Sequence, residues 1–122
     1  MPLPVEQLRS AALERLTDRE RQSCVVYLAT QPIGRDEQLK FPHLSFTSPW
    51  DGYLTFVDLD PMANWGHPCC YFCIDTDTQS VRRVDAQFPP FGPADSERAA
   101  RRWQVIYRAP GVPEALLAIR EQ

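Results

Sequence analysis

Three of the four cysteines and one of the two histidines fall within twelve residues, 64–75, which read NWGHPCCYFCID. Cys70 and Cys73 form a C-x-x-C with Cys69 adjacent and His67 just upstream. Zinc knuckles use such spacing because a tight turn brings two thiolates to one ion, about 2.3 Å from each. A thiol beside a histidine is also the minimal nucleophile and base of a cysteine hydrolase. Both chemistries depend on how the chain runs between the sulfurs.

The intervening residues, Tyr71 and Phe72, are strand formers, Ile74 follows, and no glycine bends the segment. In a strand, alternation sends Cys70 and Cys73 to opposite faces. Cys69 and Cys73 share a face but stand about 13 Å apart along the strand. No second C-x-x-C exists, and the other candidates, Cys24 and His43, are distant in sequence. The segment therefore reads as a strand whose cysteines serve as small buried hydrophobes, and neither a metal, a cofactor nor a catalytic residue is expected. The competing reading is a small enzyme or zinc-binding protein centred on His67 and Cys69–Cys73, with Asp58 or Asp60 as acidic partner.

The acidic turn DTDTQS, residues 75–80, places Asp75 and Asp77 at the first two ligand positions of an EF-hand loop. The sixth position is Ser80 instead of glycine and the twelfth is Ala86 instead of glutamate. A hairpin turn fits better. The remaining candidates lie in two turn-rich loops, SPWDG and DPMANWGHP, at opposite ends of a strand over residues 53–59. Trp50, Asp60, Asn64, Trp65 and His67 form the expected partner-binding set, because tryptophan in a loop offers a large anchoring area. Both tryptophans can instead fold back as lids over the sheet ends, and His67 can equally be fixed by a backbone hydrogen bond that holds the loop in shape.

The elements that position these residues follow from periodicity. Val5, Leu8, Ala12 and Leu16, widened by Leu13, predict an amphipathic helix over 5–22 that Pro4 can open. SCVVYLAT, 23–30, predicts a covered strand, and RDEQLK a polar connection. HLSFT, 43–47, alternates with Leu44 and Phe46 on one side. With 53–59, 69–75 and 80–86 it predicts a four-stranded antiparallel meander.

After an irregular stretch, 87–96, Asp95 or Ser96 can cap a helix carrying Ala99, Ala100, Trp103, Ile106 and Tyr107. Pro113 can open a last helix through Ala115, Leu116 and Ile119. The expected fold is α+β: an N-terminal helix, an antiparallel sheet of about five strands, and C-terminal helices packed on one sheet face, all in a single domain over 1–122.

Composition bounds the partners. The 122 residues are 43% hydrophobic and 24% charged, ordinary values for a folded chain, and the net charge is −3. Thirteen basic residues face sixteen acids, and Lys40 is the one lysine. Nucleic acid is not the expected partner, since phosphate neutralisation needs an excess of positive charge. A contact through Arg98, Arg101 and Arg102 is the third reading. No apolar run approaches the roughly 18 residues that span a bilayer. The charged N-terminus is unlike a signal peptide. The expectation is a cytoplasmic protein with reduced cysteines.

At Tyr71–Ala86, YFCIDTDTQSVRRVDA resembles the strand–turn–strand signature of PepSY-type propeptide and accessory domains. In these, a strand ending in Asp leads through an Asp/Thr-rich turn to a second strand. The usual turn glycine is replaced here by Gln79-Ser80. The resemblance covers about sixteen residues and implies a helix packed on an antiparallel sheet, with a non-catalytic inhibitory, chaperone-like or accessory role. The expected function is a small protein- or peptide-binding accessory module.

Overall fold

The computed structural model describes residues 3–41, 43–63, 66–90 and 102–117. Its elements run α1 (Val5–Glu14), α2 (Asp18–Arg21), β1 (Val25–Ala29), β2 (Gln38–Phe41), β3 (Leu44–Thr47), β4 (Gly52–Asp58), β5 (Cys69–Asp75), β6 (Val81–Ala86) and β7 (Trp103–Arg108), followed by a 3₁₀ turn, Glu114–Leu116. Five strands form an antiparallel sheet in the order β6-β5-β4-β1-β7, and β2 and β3 pair separately as a hairpin. The fold is α+β.

Helix α1 is shorter than its stripe predicts, and the reason is local. Thr17 adopts an extended backbone and starts a second helix through a capping box with Glu20. Its hydroxyl accepts the Glu20 N–H at 3.1 Å, and Glu20 Oε1 accepts the Thr17 N–H at 2.9 Å. Arg21 then turns back and donates to the Leu13 and Leu16 carbonyls at 2.8 and 2.6 Å. Those bonds satisfy acceptors that a helix end leaves open.

Both faces of the sheet are covered, which explains why β1, β4 and β5 read as continuous apolar runs. On one face Leu8, Ala12 and Leu16 pack on Val26, Val57, Cys70, Phe72 and Ile74. On the other, Tyr27, Leu54, Phe56 and Tyr71 lie beneath Leu39 of β2, Phe41, Leu44 and Phe46 of the hairpin, and Val112 and Leu116. The rings of Phe41 and Tyr71 stack with centroids 4.4 Å apart. Each fully buried aromatic contributes about 1.5–3 kcal/mol of hydrophobic stabilisation.

Three expectations are corrected. The meander holds from β4 through β5 to β6 but not at its first strand: β3 pairs with β2, and β4 takes β1 as its other neighbour. The segment read as a polar connection runs into β2, where Leu39 is buried between exposed Gln38 and Lys40. C-terminal helices are not found among the described residues: Trp103–Arg108 is an edge strand, and the last element described is a single 3₁₀ turn.

A register shift opposite Val26 and Tyr27 explains the misreading of β7. It leaves Ile106 as an extra residue, so Ile106 and Tyr107 both reach the α1 side. Trp103 and Val105 pack on the other. Broken alternation of this kind imitates a helical stripe. Ala99, Ala100, the caps Asp95 and Ser96, Arg98, Arg101 and Ile119 lie outside the described residues.

Candidate functional site

The loop joining β4 to β5 is clamped at the sheet end. Asp58, the last residue of β4, stands in register with Val25 of β1 and Cys69 of β5. Its Oδ1 lies 2.8 Å from His67 Nε2 and also accepts the Asp60 N–H at 3.0 Å. The His67 backbone N–H donates to the Gln87 carbonyl at 2.8 Å. Burial pushes the Asp58 carboxyl above its ordinary value, although His67 and the Asp60 amide pull in the opposite direction. The histidine expected as a contact residue is thus buried in a polar clamp, where it holds the loop.

The other expected contact residues do not assemble around it. Trp50 is half-buried at the far end of β4, packed on the hairpin side of the sheet. Six strand residues, 52–57, lie between it and the clamp, about 20 Å along the chain direction. Its indole N–H is buried without a hydrogen-bond partner among the described residues. Asp60 is exposed. Asn64 and Trp65 lie outside the described residues.

The cysteines divide as strand alternation requires. Cys70 packs on the α1 side, Cys69 and Cys73 on the hairpin side, and Cys24 on the α1 side from the neck of β1. All four are free and buried. Burial pushes the thiols of Cys24, Cys69 and Cys70 up to about 12 and that of Cys73 to about 11. A nucleophilic cysteine needs the opposite shift. Among the described residues, no three His, Cys, Asp or Glu side chains gather as a metal-binding group.

The acidic turn spends its oxygens on itself. Asp75 Oδ1 accepts the Asp77 N–H at 2.8 Å, and the Asp75 carbonyl accepts the Gln79 N–H at 3.0 Å. The Asp77 amide holds the half-buried Asp75 carboxyl below its ordinary value. Gln79 takes φ 59°, the left-handed conformation usually given to glycine.

A cleft of about 510 Å³ opens between this turn and α1. Glu6, Ser10 and Glu14, spaced four apart, form one wall; Thr78 and Gln79 form the other, and Val81 begins β6 at the cleft's edge. Sequence reading missed this site. Its signals were the polar i, i+4 rail on α1 and the turn residue in the glycine position, but only the fold sets them side by side.

No protein-family model, no curated protein and no solved structure matches the chain. The site's own geometry is therefore the ground for a functional reading. Besides the cleft, that geometry includes the sheet edge at β6. Among the described residues, β6 pairs with β5 alone. The Asp75 N–H bonds to the Ser80 carbonyl at 2.8 Å, which sets the phase of the ladder. Antiparallel alternation then turns the backbone groups of Arg82, Val84 and Ala86 toward β5 and those of Val81, Arg83 and Asp85 outward.

The opposite edge differs. β7 carries the bulge at Ile106, whose carbonyl accepts a hydrogen bond from the Arg9 guanidinium. Bulges and occupied carbonyls disfavour strand addition.

Proposed function

We propose that this chain is a small non-catalytic protein- or peptide-binding module that acts as an accessory, inhibitory or maturation partner of another protein. The observation carrying this reading is the outward edge of β6 beside the cleft between α1 and the turn of residues 76–80. An unpaired row of backbone donors and acceptors is a template for an extended segment. The residues best suited to chemistry have other employment: the thiols pack in the core, and His67 clamps a loop. The resemblance of residues 71–86 to PepSY-type accessory domains points the same way. Four free thiols fit a reducing compartment, so its place of action is read as the cytoplasm. No helix among the described residues is long and apolar enough to cross a membrane.

The test is capture of a partner from the native host by the purified chain, compared with Asp85→Pro. Proline at an outward-facing edge position removes a donor without breaking the ladder to β5. The expected result is a stoichiometric protein partner retained by the wild type and lost by the variant. Retention of the same partner by both would overturn the assignment of β6 as the docking edge.

A further inference from the structure

Resting on that reading, we infer that the docked segment carries a lysine or arginine whose side chain enters the cleft between α1 and the turn of residues 76–80. A strand laid against β6 meets the outward backbone groups of Val81, Arg83 and Asp85, and its side chains alternate between the two sheet faces. On the α1 face, the residue beside Val81 stands at the mouth of the cleft. The helix wall there presents two carboxylates, Glu6 and Glu14, with the Ser10 hydroxyl between them; Arg15 is the one cation in the lining.

Neither carboxylate is buried. The turn wall offers neutral hydrogen-bonding groups, Thr78 and Gln79. Such a pocket holds a cation by charge-assisted hydrogen bonds and leaves an acidic side chain facing like charge.

The next position on that face of β6 reinforces the choice. Arg83 is already neutralised by Glu20 at 3.2 Å and Asp85 at 2.8 Å, so it supplies no free positive charge to draw an acid there. Added strands on neighbouring edges stand about 4.8 Å apart. A side chain reaching from the added strand to the helix wall must therefore be long, which suits lysine and arginine.

The experiment is selection of short linear peptides from a random display library against the full chain, followed by titration of an enriched peptide. The expected result is a Lys or Arg fixed at one position among β-forming residues, with backbone amide shifts at Val81, Arg83 and Asp85 on binding. Glu6→Gln/Glu14→Gln weakens that peptide by at least about tenfold and flattens its salt dependence. Asp85→Pro weakens it as well. Circular dichroism of each variant establishes that the fold is kept, and the glutamine pair lies on an exposed helix face that tolerates it.

Enriched peptides that bind at β6 with no basic preference, or with affinity unchanged by the glutamine pair, would overturn the inference while leaving the docking edge intact. Amide shifts confined to other elements would overturn both the inference and the assignment of β6.

Discussion

Asp58 Oδ1 lies 2.8 Å from His67 Nε2, and the two side chains keep only 13% and 6% of their surfaces exposed. The pair joins the end of β4 to the start of β5 across the loop that sequence reading singled out for contact. Removing the ring leaves a carboxylate buried without its main partner. His67→Ala should lower the unfolding free energy by about 3 kcal/mol, measured by urea unfolding at neutral pH. A loss below about 1 kcal/mol would show that the clamp does not hold the loop.

The same carboxylate gives a sign to the acid limb. Its value in the fold is raised above the ordinary 3.8 by burial, so the folded chain holds that proton more tightly than the unfolded chain. The stabilisation is complete below 3.8 and is lost as the pH rises through the folded value. Relative to Asp58→Asn, the wild type should gain stability as the pH falls from about 7 toward about 4. Parallel stability curves for the two proteins across that window would contradict the assignment.

Three thiols are pushed from 9.0 to about 12 and the fourth to about 11. Raised values mean that their contribution is fully present below 9.0 and is lost as the pH climbs through the folded values. The chain should therefore lose stability steadily on the alkaline side of 9.0, and a Cys70→Ala/Cys73→Ala variant should lose less. In native buffer a thiol reagent should label the cysteines only at the rate of unfolding, while all four react in denaturant. Rapid labelling of any one in the folded protein would reopen the nucleophile reading.

Gly52 opens β4 where an added Cβ would stand 1.9 Å from the Ile74 carbonyl oxygen. That atom is backbone in the neighbouring strand and cannot turn aside. Gly52→Ala should cost about 3 kcal/mol or prevent folding. Gly111→Ala, with nothing within 4 Å, should cost less than about 0.5 kcal/mol. Thermal denaturation of the pair checks the contrast, and equal melting temperatures would refute it.

Trp50 separates packing from polar contact. Its ring lies on the hairpin-side core, while its indole N–H is buried with no hydrogen-bond partner among the described residues. Trp50→Phe keeps most of the apolar surface and removes the orphaned donor, so it should change stability by less than about 1 kcal/mol. Trp50→Ala should cost about 3 kcal/mol. Equal losses for the two variants, measured by chemical denaturation, would mean that the indole nitrogen has a role the packing does not reveal.

The chain's own pattern determined its local elements wherever one periodicity was uncontested. Leu8 and Ala12 specified the α1 face, and the run from Cys69 to Ile74 specified a strand with sulfurs on both sides. The division of that cysteine cluster was legible because alternation within a strand is a local rule. Thr17 and Glu20 also carried the break between α1 and α2 in plain view, as a capping box inside a longer apolar stripe.

Tertiary structure decided what local rules leave open. The bulge at Ile106 exists only because β7 must fit β1, and it turned an apparent helical stripe into an edge strand. Partner choice between strands is likewise non-local, which is why β3 left the expected meander for β2. The same holds for the sites. His67 looked like a contact residue until the fold brought Asp58 to its ring, and the Glu6–Glu14 rail gained a second wall only when the turn around Gln79 closed against it. Periodicity reports which face a side chain takes along its own element; the neighbour that face meets is set by packing across the whole sheet.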